Sequence, residues 1–197
     1  MKISVEGAEP HQASLVVVLL HGAGASALDF LSLSQDFEVD EETSFLAPQA
    51  LNRYWYELPP GKSRGFAEPY FTLSVQSVLG LLQQHSEQAI FLVGFAEGAG
   101  VVAELLTKEE LPASVKAAWL ASGGLLGTSD EWPEPPRLNL PVLVSGLSRD
   151  RETLEGTARH FERRGAKVEC LLVEGEELHI ASSELALAQK LLSGARR

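Results

Sequence analysis

Residues 89–107, AIFLVGFAEGAGVVAELLT, decide how this chain is read. The first part, residues 89–94, is an apolar run of strand length, the pattern of a strand buried on both faces. Residues 98–107 set small and apolar side chains in the manner of a helix packed closely on its neighbour. Between them stands Gly94-Phe95-Ala96-Glu97-Gly98, with a glycine two positions either side of Ala96. The chain must pass from strand to helix within this stretch, so the turn is sharp. Backbone then approaches backbone, which glycine tolerates best.

Outward from this unit, strands and helices alternate. Toward the N-terminus, residues 14–20 (SLVVVLL) form a second buried strand, and they run into the small-residue loop His21-Gly22-Ala23-Gly24-Ala25-Ser26. Residues 28–36 carry Leu28, Leu31 and Leu33 at helical spacing, residues 43–47 read as a strand stopped by Pro48, and residues 2–6 as a short first strand. Residues 49–68 have no periodicity and hold Tyr54-Trp55-Tyr56 and Pro59-Pro60-Gly61. A loop of that length in a compact domain tends to be functional. Residues 69–85 form an amphipathic helix through Leu73, Val75, Val78, Leu79, Leu81 and Leu82.

Toward the C-terminus, residues 115–121 are a strand leading to Ser122-Gly123-Gly124, with Trp119 in its middle as a core residue. Pro133, Pro135 and Pro136 mark residues 127–138 as a surface loop. Residues 140–146 are a strand, 151–164 a helix stopped by Gly165, 167–173 the last strand, and 182–192 the last helix, with Ser182 or Ser183 as its cap. The alternation predicts one α/β domain over residues 1–197, a doubly wound, mostly parallel sheet flanked by helices.

Composition narrows the partners. With 197 residues, 45% of them hydrophobic, the chain can bury a sizeable core. Its net charge of -11 makes an acidic surface, which disfavours nucleic acid and anionic membranes. The single cysteine, Cys170, cannot form an internal disulfide, which points to a reducing, cytoplasmic setting. No leader-like start is visible, and the run at residues 15–20 is too short to span a bilayer. The five histidines are scattered, with no metal-ligand spacing, so neither metal nor cofactor is expected.

Sites in such sheets gather beyond the carboxyl ends of the strands. Four ends carry chemistry here. The loop after residues 14–20 offers backbone N–H groups at Gly22, Ala23 and Gly24. The central turn matches the frame G-x-S-x-G of a nucleophile elbow, with alanine at its centre. The helix that follows points its positive end at the turn, so the N–H groups of Ala23 and Glu97 form a candidate oxyanion hole. After residues 140–146 comes Asp150, an acid able to orient a histidine; Asp130, after the preceding strand, is the reserve. After residues 167–173 comes His179, a candidate general base. The order elbow, acid, histidine is that of α/β-hydrolases.

On these pieces the chain resembles the phospholipase/carboxylesterase family of α/β-hydrolases, small esterases related to acyl-protein thioesterases. The matching stretches are LLHGAGAS (19–26), APQA and YWY (47–56), LVGFAEGAG (92–100), ASGGLLG (121–127) and LHIA (178–181). The resemblance implies an α/β-hydrolase fold and a carboxylic-ester or thioester hydrolase. It places the nucleophile at Ala96, the acid at Asp150, the base at His179, the oxyanion turn at Gly22-Ala23, and an aromatic pocket wall at Trp55 and Tyr56. Family members usually show serine then glutamine at the elbow, where this chain has Ala96 and Glu97, and a His-Gly pair ahead of the acid, where it has Ser145-Gly146. Two explanations of Ala96 stand: a serine engineered away, or a natural loss that leaves a binding protein for an acyl ligand or partner. Either way the chain as written lacks the oxygen that attacks a carbonyl. The expected partner is a small acyl ester or thioester, and the expected assembly a monomer or homodimer.

Overall fold

The structure, a computed structural model, describes residues 1–59, 63–134 and 136–196. Pro60, Gly61 and Pro135, which the sequence reading assigned to loops, lie outside the described residues.

Among the described residues seven strands form one sheet: β1 (Ile3–Gly7), β2 (Leu15–Leu20), β3 (Thr43–Pro48), β4 (Ala89–Phe95), β5 (Val115–Ala121), β6 (Pro141–Leu147) and β7 (Lys167–Val173). Their spatial order is β1-β3-β2-β4-β5-β6-β7. Only β1 runs antiparallel, against β3; the remaining pairs are parallel. The helices are α1 (Ala27–Leu31), α2 (Tyr70–Gln84), α3 (Glu97–Leu105), α4 (Arg151–Glu162) and α5 (Ser182–Ala195).

The apolar runs become the inner strands because a parallel sheet covered on both faces has no solvent side. Every residue of β2 and of β3 is buried. Side chains alternate across β2, so Val16, Val18 and Leu20 join the core shared with α2, α3 and α4, while Leu15, Val17 and Leu19 join the core that includes Trp119 and α5. β7 departs from its apolar pattern. As the edge strand it is largely half-buried or exposed, and Cys170 faces out. In α2 the buried stripe is Phe71, Val75, Val78, Leu81 and Leu82, whereas Leu73 falls outside it and is exposed.

Two buried polar groups show how the layers are pinned. Trp119, fully buried as expected, donates from Nε1 to Ser145 Oγ at 2.8 Å. That hydroxyl donates to Glu184 Oε1 at 2.6 Å, and Glu184 Oε2 accepts the Ala181 N–H at 2.8 Å. The expected serine cap of α5 is therefore replaced. The cap position is Ala181, whose methyl accepts nothing, and Glu184 reaches back to do the work. On the opposite face, buried Glu104 of α3 takes both arms of Arg64 (2.7 and 2.6 Å) and Lys108 (2.6 Å). Burial pushes this carboxyl up, and the two cations more than offset that, holding it below the usual carboxylate range. Arg64 thereby anchors the short turn Arg64–Ala67 to α3.

Candidate functional site

The elbow forms where β4 hands over to α3. Ala96 sits at φ 51, ψ -110, a backbone conformation that costs an alanine roughly 1–3 kcal/mol. The surroundings enforce it. The Ala96 N–H donates to Ala121 O at 2.9 Å, and its carbonyl accepts from Ala99 and Gly100 at 3.1 and 3.3 Å. A Cβ on Gly98 would lie 2.1 Å from Leu20 O, and one on Gly94 2.4 Å from Gly98 O. The glycine frame seen in the sequence is thus a steric requirement of the turn.

Beyond β2, Gly22 and Ala23 face the elbow across a cavity of about 450 Å³. Ala96, Gly22 and Ala23 line one part of it, and Phe30, Leu33, Phe95 and Ile180 supply apolar walls. Exposed Asp29 and Asp36 also lie on its lining. Among the described residues nothing accepts from the N–H of Ala23 or of Glu97. Gly24 is turned away: at φ +73 it donates to Arg53 O at 2.9 Å and is absent from the lining.

The Glu97 side chain bends back from the cavity. Its Oε2 accepts the Trp55 N–H at 3.0 Å. Burial pushes its carboxyl up to about 7, with the charge of Glu57 adding to the rise and the Trp55 bond opposing it.

Trp55 and Tyr56, expected as a wall of the acyl pocket, are instead buried at 1% and 8% exposure. Trp55 Nε1 donates to His21 O at 2.8 Å, and its carbonyl accepts the Ser74 hydroxyl at 2.6 Å. Tyr56 packs edge-on against Phe71, centroids 5.0 Å apart. Both line a separate cavity of about 760 Å³ with Gln49, Tyr54 and Tyr70. The cause is polar: the indole and backbone donors of Trp55 find acceptors inward, at His21 and Glu97, and the ring follows.

His179 is exposed on the loop beyond β7, between Leu178 and Ile180, which both line the elbow cavity. Its Nδ1 lies 3.0 Å from Glu177 O. Asp150 sits exposed at the N-cap position of α4, its carboxylate 3.8 Å from Arg149 Nε. Asp130 is exposed, and a Thr128 hydrogen bond holds it below the ordinary aspartate range. Among the described residues no hydrogen bond joins His179 to either acid. The structure therefore brings Gly22, Ala23, Ala96 and Glu97 together, sets His179 beside the cavity, and leaves Asp150 exposed with no hydrogen bond to His179 among the described residues.

Sequence reasoning passed over His21 and Gln49. His21 is fully buried beneath the turn, with Nδ1 2.7 Å from Gly22 O and Nε2 3.2 Å from the Ala50 N and 3.0 Å from Gln49 Nε2. The available signal was a histidine directly following six apolar residues, where a polar ring must find partners.

No protein-family model matches the chain, and no curated protein sequence matches it either. Solved structures do. A phospholipase/carboxylesterase from Dyadobacter fermentans shares 23% identity at a TM-score of 0.84, over 98% of this chain and 96% of that one. The Bacillus cereus carboxylesterase shares 21% at 0.77, over 99% and 94%. SOBER1 of Arabidopsis thaliana shares 20% at 0.74, over 94% and 100%. The likeness extends over the whole sheet and its helices: the chain has the α/β-hydrolase fold, and phospholipases and carboxylesterases are among the solved structures it resembles.

Proposed function

We propose that residues 1–197 act as one carboxylic-ester or thioester hydrolase scaffold that, in the form carried here, binds an acyl compound without turning it over. The observation that carries this is the composition of the elbow: two N–H groups without an acceptor among the described residues and an apolar cavity converge on Ala96, whose methyl cannot attack a carbonyl. The acyl oxygen would take the N–H groups of Ala23 and Glu97, and the chain would lie along Phe30, Leu33 and Phe95. A protein of the same fold, YahD, has been solved with malic acid (13% identity, TM-score 0.74), which supports a carboxylic compound as ligand.

Two observations favour different origins. His179, retained beside the elbow cavity between Leu178 and Ile180, favours a serine replaced by alanine. The separation of Asp150 from His179 favours a binding protein that has lost its proton relay. In the first case His179 would take the serine proton and Asp150 would have to rotate toward it. Ala96→Ser, checked for folding by circular dichroism, decides between them with p-nitrophenyl acetate, butyrate and octanoate. A rate gain of a thousandfold or more over the parent establishes the hydrolase reading. No gain, with octanoate raising the melting temperature of the parent, establishes the binding reading. Neither turnover nor binding overturns the proposal.

A further inference from the structure

The geometry points to His21 as the residue that positions the oxyanion turn, and to the neutral Nδ1–H tautomer as the only form of its ring that can do so. This deepens the reading above, since it concerns how the same Ala23 N–H is held.

The tautomer follows from groups whose roles are fixed. The Ala27 N–H donates to Gln49 Oε1 at 2.9 Å, so the amide nitrogen of Gln49 must be the atom turned toward His21. The Ala50 N–H, a backbone donor, reaches the same ring nitrogen at 3.2 Å. Two donors converge on Nε2, so Nε2 must be an acceptor and carries no proton. The ring's one N–H is then at Nδ1 and donates to Gly22 O at 2.7 Å. Gly22 O also accepts the Ala25 N–H at 3.2 Å, which closes the turn that presents Ala23. The His21 carbonyl accepts Trp55 Nε1–H, so one buried residue ties the ends of β2 and β3 and the aromatic segment into a single unit.

A second proton on the ring breaks this arrangement, because an Nε2–H would confront the Ala50 and Gln49 donors. Arg53 opposes that proton, and Trp55 covers the ring at a centroid distance of 5.2 Å. Glu97, which accepts the Trp55 N–H, and Glu57, whose charge acts on Glu97, carry the sign that would favour it, and burial together with Arg53 outweighs them. Burial first, then Arg53, holds the imidazole below the ordinary histidine range despite the Gly22 bond. The oxyanion turn is thus kept in shape at neutral pH by an uncharged histidine whose tautomer is set by a glutamine side chain.

The test is ¹⁵N NMR of the imidazoles together with the backbone amides of the intact chain, titrated from pH 8 to pH 4.5. The expected result is a pyrrole-type Nδ1 and a pyridine-type Nε2 for His21, a midpoint below that of a free histidine, and Gly22 and Ala23 amide shifts that move with the same midpoint. Gln49→Glu keeps an oxygen for Ala27 and offers a second to Nε2, so it raises the His21 midpoint by about one pH unit or more. A merely packed ring would show none of these couplings. An Nε2–H tautomer, an ordinary midpoint, or Gly22 and Ala23 amides indifferent to the titration overturns the inference. Octanoate is titrated in the same samples: if it fails to bind and Ala96→Ser gains no turnover while the tautomer and couplings are as stated, the proposed function falls and the role of His21 stands.

Discussion

Glu97→Gln will make the protein less sensitive to rising pH. The Glu97 carboxyl is half-buried at the start of α3, and its value of about 7 stands well above the ordinary glutamate value of 4.5. In the native state it therefore holds a proton that the unfolded chain has already released. The stability tied to that proton is fully present below about pH 4.5 and is lost as pH rises through about 7. A shift of this size corresponds to about 3 kcal/mol at the limit, and solvent screening of a half-buried group reduces it to about 1–2 kcal/mol. Glutamine is neutral throughout, and its oxygen can accept the Trp55 N–H as Glu97 Oε2 does. All other titrating groups cancel between parent and variant. Urea unfolding at pH 5 and pH 8, followed by tryptophan fluorescence, reads the difference. With a slope of about 2 kcal/mol/M, the variant's midpoint relative to the parent should rise by about 0.5–1 M between the two pH values. An equal offset at both pH values, or one that shrinks toward pH 8, would refute the placement of this carboxyl.

Two further expectations concern packing. Gly98→Ala, whose Cβ would meet Leu20 O at 2.1 Å and His21 O at 2.9 Å, should cost about 4 kcal/mol or more and leave little soluble protein; Gly80→Ala in α2, with nothing within 4 Å, should stabilise by about 0.5–1 kcal/mol in thermal unfolding. Arg64→Ala leaves Glu104 buried with Lys108 alone and should cost about 3 kcal/mol in urea unfolding. Replacing Arg64 and Glu104 together by Met and Leu should recover most of that loss, because the uncompensated charge is removed with its partner.

The sheet was legible because its inner strands have no polar side to disguise them. β2, β4 and β5 announce themselves as apolar runs, and the elbow as a pair of glycines around one residue. What was not legible depended on which partner a polar group would choose. Trp55 looked like a pocket wall, since an aromatic in a long loop has no sequence mark for where its N–H groups will go. They go inward, and the ring closes a different cavity. Asp150 follows a strand as a triad acid should, and it stands exposed with Arg149 Nε at 3.8 Å, since nothing in the local sequence says whether an acid at a strand end will meet a histidine from a different loop. The serines before α5 looked like caps, while the cap is formed by Glu184, a residue whose second oxygen is needed by a buried hydroxyl. His21 shows the same limit: its position was on view, and its role lay in two donors from a distant segment.

The turn at Ala96 has a consequence for how this scaffold can change. Its shape is imposed by Leu20, Gly94, Gly98, Ala121 and Gly123, all through main-chain atoms, and none of these contacts uses the side chain at position 96. Position 96 is therefore a socket: what is plugged into it alters the chemistry and leaves the mounting untouched. Reactivity at this site is separable from architecture: alanine and serine carry the same backbone strain at this φ, so one can replace the other there with little effect on the fold.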